Sequence, residues 1–136
     1  MPLSLLSLLA FAAWTLLLVT TSVAYRSVLV LLGRKRADAW PRGAAPVDDP
    51  PLMRRMRDAH LNCAENLPVF AAIVCVAAAM DALATIDTAC GLVVLARVGQ
   101  SITHLVGASH WHVIVRVHFF LAQIGLFFYM VWTLMA

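Results

Sequence analysis

MPLSLLSLLAFAAWTLLLVTTSVAY, residues 1–25, carries no charged side chain. A helix needs about 20 mainly apolar residues to cross roughly 30 Å of hydrocarbon, and this run exceeds that length. It shows neither a basic leading segment nor a small-residue cleavage pattern after a short apolar core, so it reads as a retained first span. The apolar pattern resumes after Arg26, whose long side chain can reach back to the headgroups, and Gly33-Arg34-Lys35-Arg36 closes the span. Ala37 to Pro51 then holds four prolines and three acidic residues and reads as a loop. Three further apolar stretches follow. The sequence predicts spans over about 3–32, 61–80, 89–106 and 113–136, with a connection over 33–57.

Composition supports this division. Hydrophobic residues make up 62% of the 136-residue chain and charged residues 12%, and the mean hydropathy is +0.87. A water-soluble domain carries roughly a quarter charged residues, so soluble globular, disordered and coiled-coil classes are excluded. The expected fold is an all-α integral membrane protein: an up-down four-helix bundle forming a single domain over residues 1–136. Seven of the ten basic residues lie between Arg34 and Arg57. Basic connections stay in the cytoplasm, so the first connection is expected there and both termini on the opposite side. Cys63, Cys75 and Cys90 are odd in number, lack metal-type spacing and imply no disulfide framework.

Ionisable groups within spans are costly and by default mark function. Asn62, Glu65 and Asn66 share one face of the second span at i, i+3 and i+4. Arg97, Gln100, Ser101 and His104 form a polar stripe on the third, and Arg116 and Gln123 share a face of the fourth. A Glu65–Arg97 ion pair that only glues the bundle is one reading. The other is an anionic ligand, because Arg97, Arg116 and the cluster Arg54, Arg55 and Arg57 outnumber the neighbouring acids. Guanidinium groups suit carboxylates through a bidentate fork. Anchoring to anionic lipid is the competing reading for Arg54 to Arg57. His104, His110, His112 and His118 do not suggest a metal site: His110 and His112, two residues apart, cannot share a helical face.

The segment Arg57-Asp58-Ala59-His60-Leu61-Asn62-Cys63-Ala64-Glu65-Asn66-Leu67-Pro68-Val69-Phe70 resembles the signature of the MAPEG family, the membrane-associated proteins of eicosanoid and glutathione metabolism. Ala96-Arg97 followed by His104 resembles its third-helix motif, and Arg116-x-x-x-Phe120 its fourth-helix entry. The resemblance covers the whole chain and is closest in kind to the microsomal glutathione transferases. It implies a homotrimer with glutathione as co-substrate, bound between subunits near the cytoplasmic face. By motif, Asn62 and Glu65 would hold the peptide's backbone and amino group. Arg57 and Arg97 would hold carboxylates, and His60, Gln100 and His104 would be further contacts. Arg116 and Arg97 are the catalytic candidates, since a thiolate needs a nearby cation.

Departures from the family pattern are Asp58, where a second arginine is often found, His104, where several members have tyrosine, and Gln100, where several have an aromatic residue or histidine. The arginine proposed to stabilise the thiolate has no clear counterpart; Arg34, Arg36 or Arg116 could substitute. The implied activity is a transferase or peroxidase acting on lipophilic electrophiles. Its partners would be further copies of the chain, membrane lipid and a lipophilic small-molecule substrate, with no nucleic acid. A non-catalytic binder of a small anionic ligand and a small exporter using Glu65 are the alternatives.

Overall fold

The computed structural model describes residues 1–40 and 48–136. It contains four α-helices: α1 (Leu3–Leu31), α2 (Pro51–Ala79), α3 (Leu83–Val106) and α4 (His110–Met135). Each is long and apolar enough to cross a membrane. The loop read over residues 37–51 lies partly outside the described residues, at 41–47.

The helices outrun the apolar stretches. α2 starts at Pro51, so the charged residues Arg54 to Asp58 form its first turns. Proline at the first helical position costs nothing, because its missing N–H would have no intrahelical partner there. α3 starts at Leu83, leaving residues 80–82 as the connection from α2, with Asp81 in the left-handed region at φ 54°. Residues 107–109 join α3 to α4. The His112 ring packs on Gly107, where an added Cβ would stand 2.7 Å from its Cε1, and Ser109 Oγ lies 2.6 Å from His112 Nδ1.

α1 buries mostly small or polar residues and exposes most of its leucines. Along α1 the buried positions are Ser4, Ser7, Phe11, Thr15, Leu18 and Ser22, while Leu6, Leu9, Leu16 and Leu17 are exposed. Small residues let backbones approach closely, and leucines suit lipid, so this pattern is the one expected of a membrane bundle. α1 packs against α2 and α3, α3 packs along α4, and α2 meets α4 only sparsely. At the start of α1, Asp87 of α3 accepts the Ser4 backbone N–H at 2.7 Å. That carboxylate satisfies a first-turn donor that has no partner in its own helix.

The core is strung on three rings. Phe11 of α1 lies 5.7 Å from Phe70 of α2, and Phe70 lies 6.1 Å from Phe127 of α4. Phe70 and Phe127 thus bridge the sparse α2–α4 seam, leaving one opening on each side. Charge separates the two ends of the bundle. The end holding residues 34–57 and the start of α4 carries nearly all the basic side chains, and the end holding residues 80–83 and 136 carries none.

Candidate functional site

The opening at the basic end is a cleft of about 380 Å³ between α2, α3 and α4. Asn62, Glu65, Gln100, His104 and Arg116 form its polar wall, and Val113, Val117 and Phe120 its apolar wall. Helical phase places these residues. Asn62 and Glu65 stand one turn apart on α2, as do Gln100 and His104 on α3. Val113, Arg116, Val117 and Phe120 recur at i, i+3, i+4 and i+7 on α4. Five of the residues singled out from the sequence are therefore brought together within one chain.

Arg97 stands behind the cleft wall. It is 1% exposed, and its Nη1 donates to Asn62 Oδ1 at 2.6 Å. Its Nε and Nη2 find no partner among the described residues. Its guanidinium carbon lies 5.3 Å from the centre of the Phe11 ring, on whose face the cation is stabilised. The ion pairs of the described residues are Lys35–Asp49, Arg36–Asp38 and Arg57–Asp58, so Glu65 and Arg97 do not neutralise each other.

The Arg97 contact fixes what Asn62 presents to the cleft. A guanidinium can only donate, so the Asn62 atom facing it must be the oxygen. Asn66 strengthens this arrangement from the next turn. Its Nδ2 donates to the Asn62 carbonyl at 2.9 Å and lies 3.4 Å from Asn62 Oδ1. The Asn62 oxygen is thus held from behind by donors, and its Nδ2 carries the free donors. Glu65, exposed in this chain, supplies the carboxylate acceptor. Arg116, half-buried in the cleft, supplies a cation without a carboxylate partner among the described residues. Such a wall is matched to a small ligand carrying carboxylates and one ammonium group.

Arg57 and His60 stand elsewhere. Arg57 pairs with its neighbour Asp58 at 3.4 Å, and His60 Nδ1 donates to the Thr15 carbonyl of α1 at 3.3 Å. Arg55 is structural: its Nε donates to the Leu105 carbonyl at 3.0 Å and satisfies an unpaired acceptor in the last turn of α3. Reading the sequence for charge missed the apolar wall. Its signal was the i, i+3, i+4 spacing around Arg116.

A family model described as the MAPEG family matches residues 4–136, essentially the whole chain. No curated protein matches it.

Proposed function

Because the chain belongs to the MAPEG family, which includes glutathione transferases and peroxidases, we propose that it is a membrane-embedded glutathione-dependent transferase or peroxidase of the microsomal glutathione transferase kind. Its acceptors are lipophilic electrophiles that partition from the bilayer. Glutathione enters from the basic, cytoplasmic face, and both termini lie on the opposite side. The working unit is a homotrimer in which a neighbouring protomer closes the open side of the cleft and shields the exposed Glu65 from lipid.

The observation that carries this reading is the donor-rich cleft with one free carboxylate. Glutathione has two carboxylates and one ammonium, and the wall offers the counterpart of each. Glu65 takes the ammonium and Asn62 Nδ2 takes carboxylate or carbonyl oxygens, which leaves Arg116 for the sulfur. Arg97 acts through Asn62 in this protomer. A free thiol titrates at about 8.5, and a guanidinium beside the sulfur favours the reactive thiolate; Arg116 is the cation within the cleft that fills this role. With an aryl halide, the thiolate forms the carbon–sulfur bond and halide leaves. With a hydroperoxide, sulfur attacks the terminal oxygen, the O–O bond breaks and the alkoxide leaves as the alcohol after taking a proton. The sulfenic acid so formed reacts with a second glutathione to give the disulfide and water.

The test uses purified protein in detergent, titrated with glutathione by calorimetry and then assayed with a chlorinated nitroaromatic and a lipid hydroperoxide. Binding with thioether or alcohol formation is the expected result, with Glu65→Gln weakening binding. Binding without turnover would leave a non-catalytic ligand-binding member of the family. Absence of binding would overturn the reading.

A further inference from the structure

Gln100 and Gln123 are the only glutamines in the chain, and they hydrogen-bond to each other across the α3–α4 contact. Gln123 is fully buried. Its Nε2 donates to Gln100 Oε1 at 2.9 Å and to the Phe119 backbone carbonyl at 3.1 Å. The Phe119 carbonyl can only accept, so the Gln123 atom beside it must be the nitrogen. That nitrogen can only donate, so the Gln100 atom facing it must be the oxygen. Both amide orientations are thereby dictated by one backbone acceptor, and Gln100 Nε2 is turned away from Gln123. Gln100 itself lines the cleft.

We infer that Gln123 is a positioning residue: held by the Phe119 carbonyl, it locks Gln100 as a hydrogen-bond donor into the cleft. This selects for anionic ligand groups. It rests on the reading that the cleft is the ligand site. Together with Asn62, held from behind by Arg97, it gives the cleft two amides whose oxygens are engaged behind its wall and whose N–H groups remain for a ligand. A carboxylate gains from both, whereas a cationic group at the same place would meet only donors.

The state of Gln123 itself argues against a purely structural role. Its Oε1 is buried without a partner among the described residues. An unsatisfied buried acceptor opposes stability, and an apolar side chain of similar length would carry no such cost. Retaining an amide here is explained by what its donors do for Gln100.

The experiment labels the glutamine side-chain nitrogens of the detergent-purified protein and follows hydrogen exchange by nuclear magnetic resonance. Only two side-chain amide groups can appear. The Gln123 amide, buried with its donors engaged, should exchange at least about ten-fold more slowly than the Gln100 amide. Equal protection of both, or a protected Gln100, would overturn the inference. Adding glutathione should shift the Gln100 signal and slow its exchange.

Gln123→Met is the second arm. Glutathione affinity should fall roughly ten-fold, the scale of one hydrogen bond to a charged group, while the melting temperature holds or rises. In a Gln100→Met background the same substitution should change affinity no further, because Gln123 acts only through Gln100. Full additivity, or a lowered melting temperature with unchanged affinity, would identify a packing role and sink the proposal. Should the wild-type amides exchange as expected while glutathione neither binds nor shifts Gln100, the donor arrangement stands and the glutathione reading falls.

Discussion

The seam between α2 and α4 opens twice, and the two openings differ in chemistry far more than in size. At the basic end the cleft holds about 380 Å³ and is walled by Asn62, Glu65, Gln100, His104 and Arg116. At the far end a groove of about 330 Å³ is lined by Ala72, Ile73, Val76, Met80, Val131, Leu134 and Met135, without a single polar side chain. Phe70 and Phe127 stand between them. The apolar groove is what helix packing in lipid produces when nothing else is asked of it. The polar cleft and the groups behind it are expensive: a carboxylate outside every ion pair of the described residues, and a buried guanidinium with two nitrogens and a buried amide oxygen that find no partner among them, all oppose insertion and folding. Their grouping beside the cleft is what supports the proposed site there.

The largest expected effect comes from removing the divider. Phe127 is 5% exposed, and Phe127→Ala deletes the ring that stacks on Phe70 and separates the two openings. Truncating a buried phenylalanine costs about 3–5 kcal/mol. Detergent-based unfolding should show a loss near the lower bound, since helices persist in the unfolded state. A loss below about 1 kcal/mol, the range of ordinary surface substitutions, would mean that the seam is held elsewhere.

Arg97→Met should come next and should separate stability from function. The substitution removes a buried cation with two unpartnered nitrogens, and it also removes the donor that orients Asn62. Apolar replacement of buried charges is often neutral or stabilising, so the melting temperature should change little. Glutathione-dependent turnover should fall about 100-fold, the scale of losing a charge-assisted contact. A strong loss of stability with binding intact would assign Arg97 to packing alone. Arg97→Lys should rescue poorly, because a point charge cannot reproduce the planar fork.

Gly99 probes the α3–α4 contact that carries the glutamine pair. A Cβ added there would stand 2.8 Å from Phe119 Cζ, and Phe119 supplies the carbonyl that fixes Gln123. Gly99→Ala must therefore push the ring aside. Overpacking of this kind costs about 1–3 kcal/mol, and thermal unfolding should register it. Glutathione affinity should weaken as well, since a displaced α4 backbone loosens Gln123. Intact affinity with lost stability would uncouple the two.

Helix number, helix order and the polar stripes were all readable in the sequence, because span length and the 3.6-residue period are local properties. Asn62 with Glu65, Gln100 with His104, and the face of Arg116 followed from that period alone. Two things did not. The family resemblance, not the helical period, set Arg57 and His60 with Asn62 as ligand contacts, and within this chain His60 and Asn62 are two residues apart. Residues so spaced do not face each other on a helix, and His60 turns to the Thr15 carbonyl instead. The same rule, applied to His110 and His112, had already separated that pair. The Gln100–Gln123 bond was beyond reach for a different reason. It depends on the register of α3 against α4, which is set where Phe119 packs on Gly99 and has no local signature.

Arg57 therefore gives the smallest expected effect and the sharpest contrast with Arg116. Both are arginines at the basic end, both stand near the start of a helix, and the sequence reading set both at the ligand. Arg57 lies 3.4 Å from Asp58, on side chains that are 41% and 46% exposed. An exposed adjacent pair contributes ~0–1 kcal/mol, and its positive charge is already spoken for by a neighbour on its own helix. Arg57→Gln should leave stability and glutathione affinity within about two-fold of the wild type, which is less than 0.5 kcal/mol. Arg116→Gln should weaken affinity by about ten-fold or more, because the cleft then loses a cation that no carboxylate among the described residues offsets. If the two variants behaved alike, net charge at the basic end would govern binding, and the placement of one guanidinium inside the cleft would carry no weight.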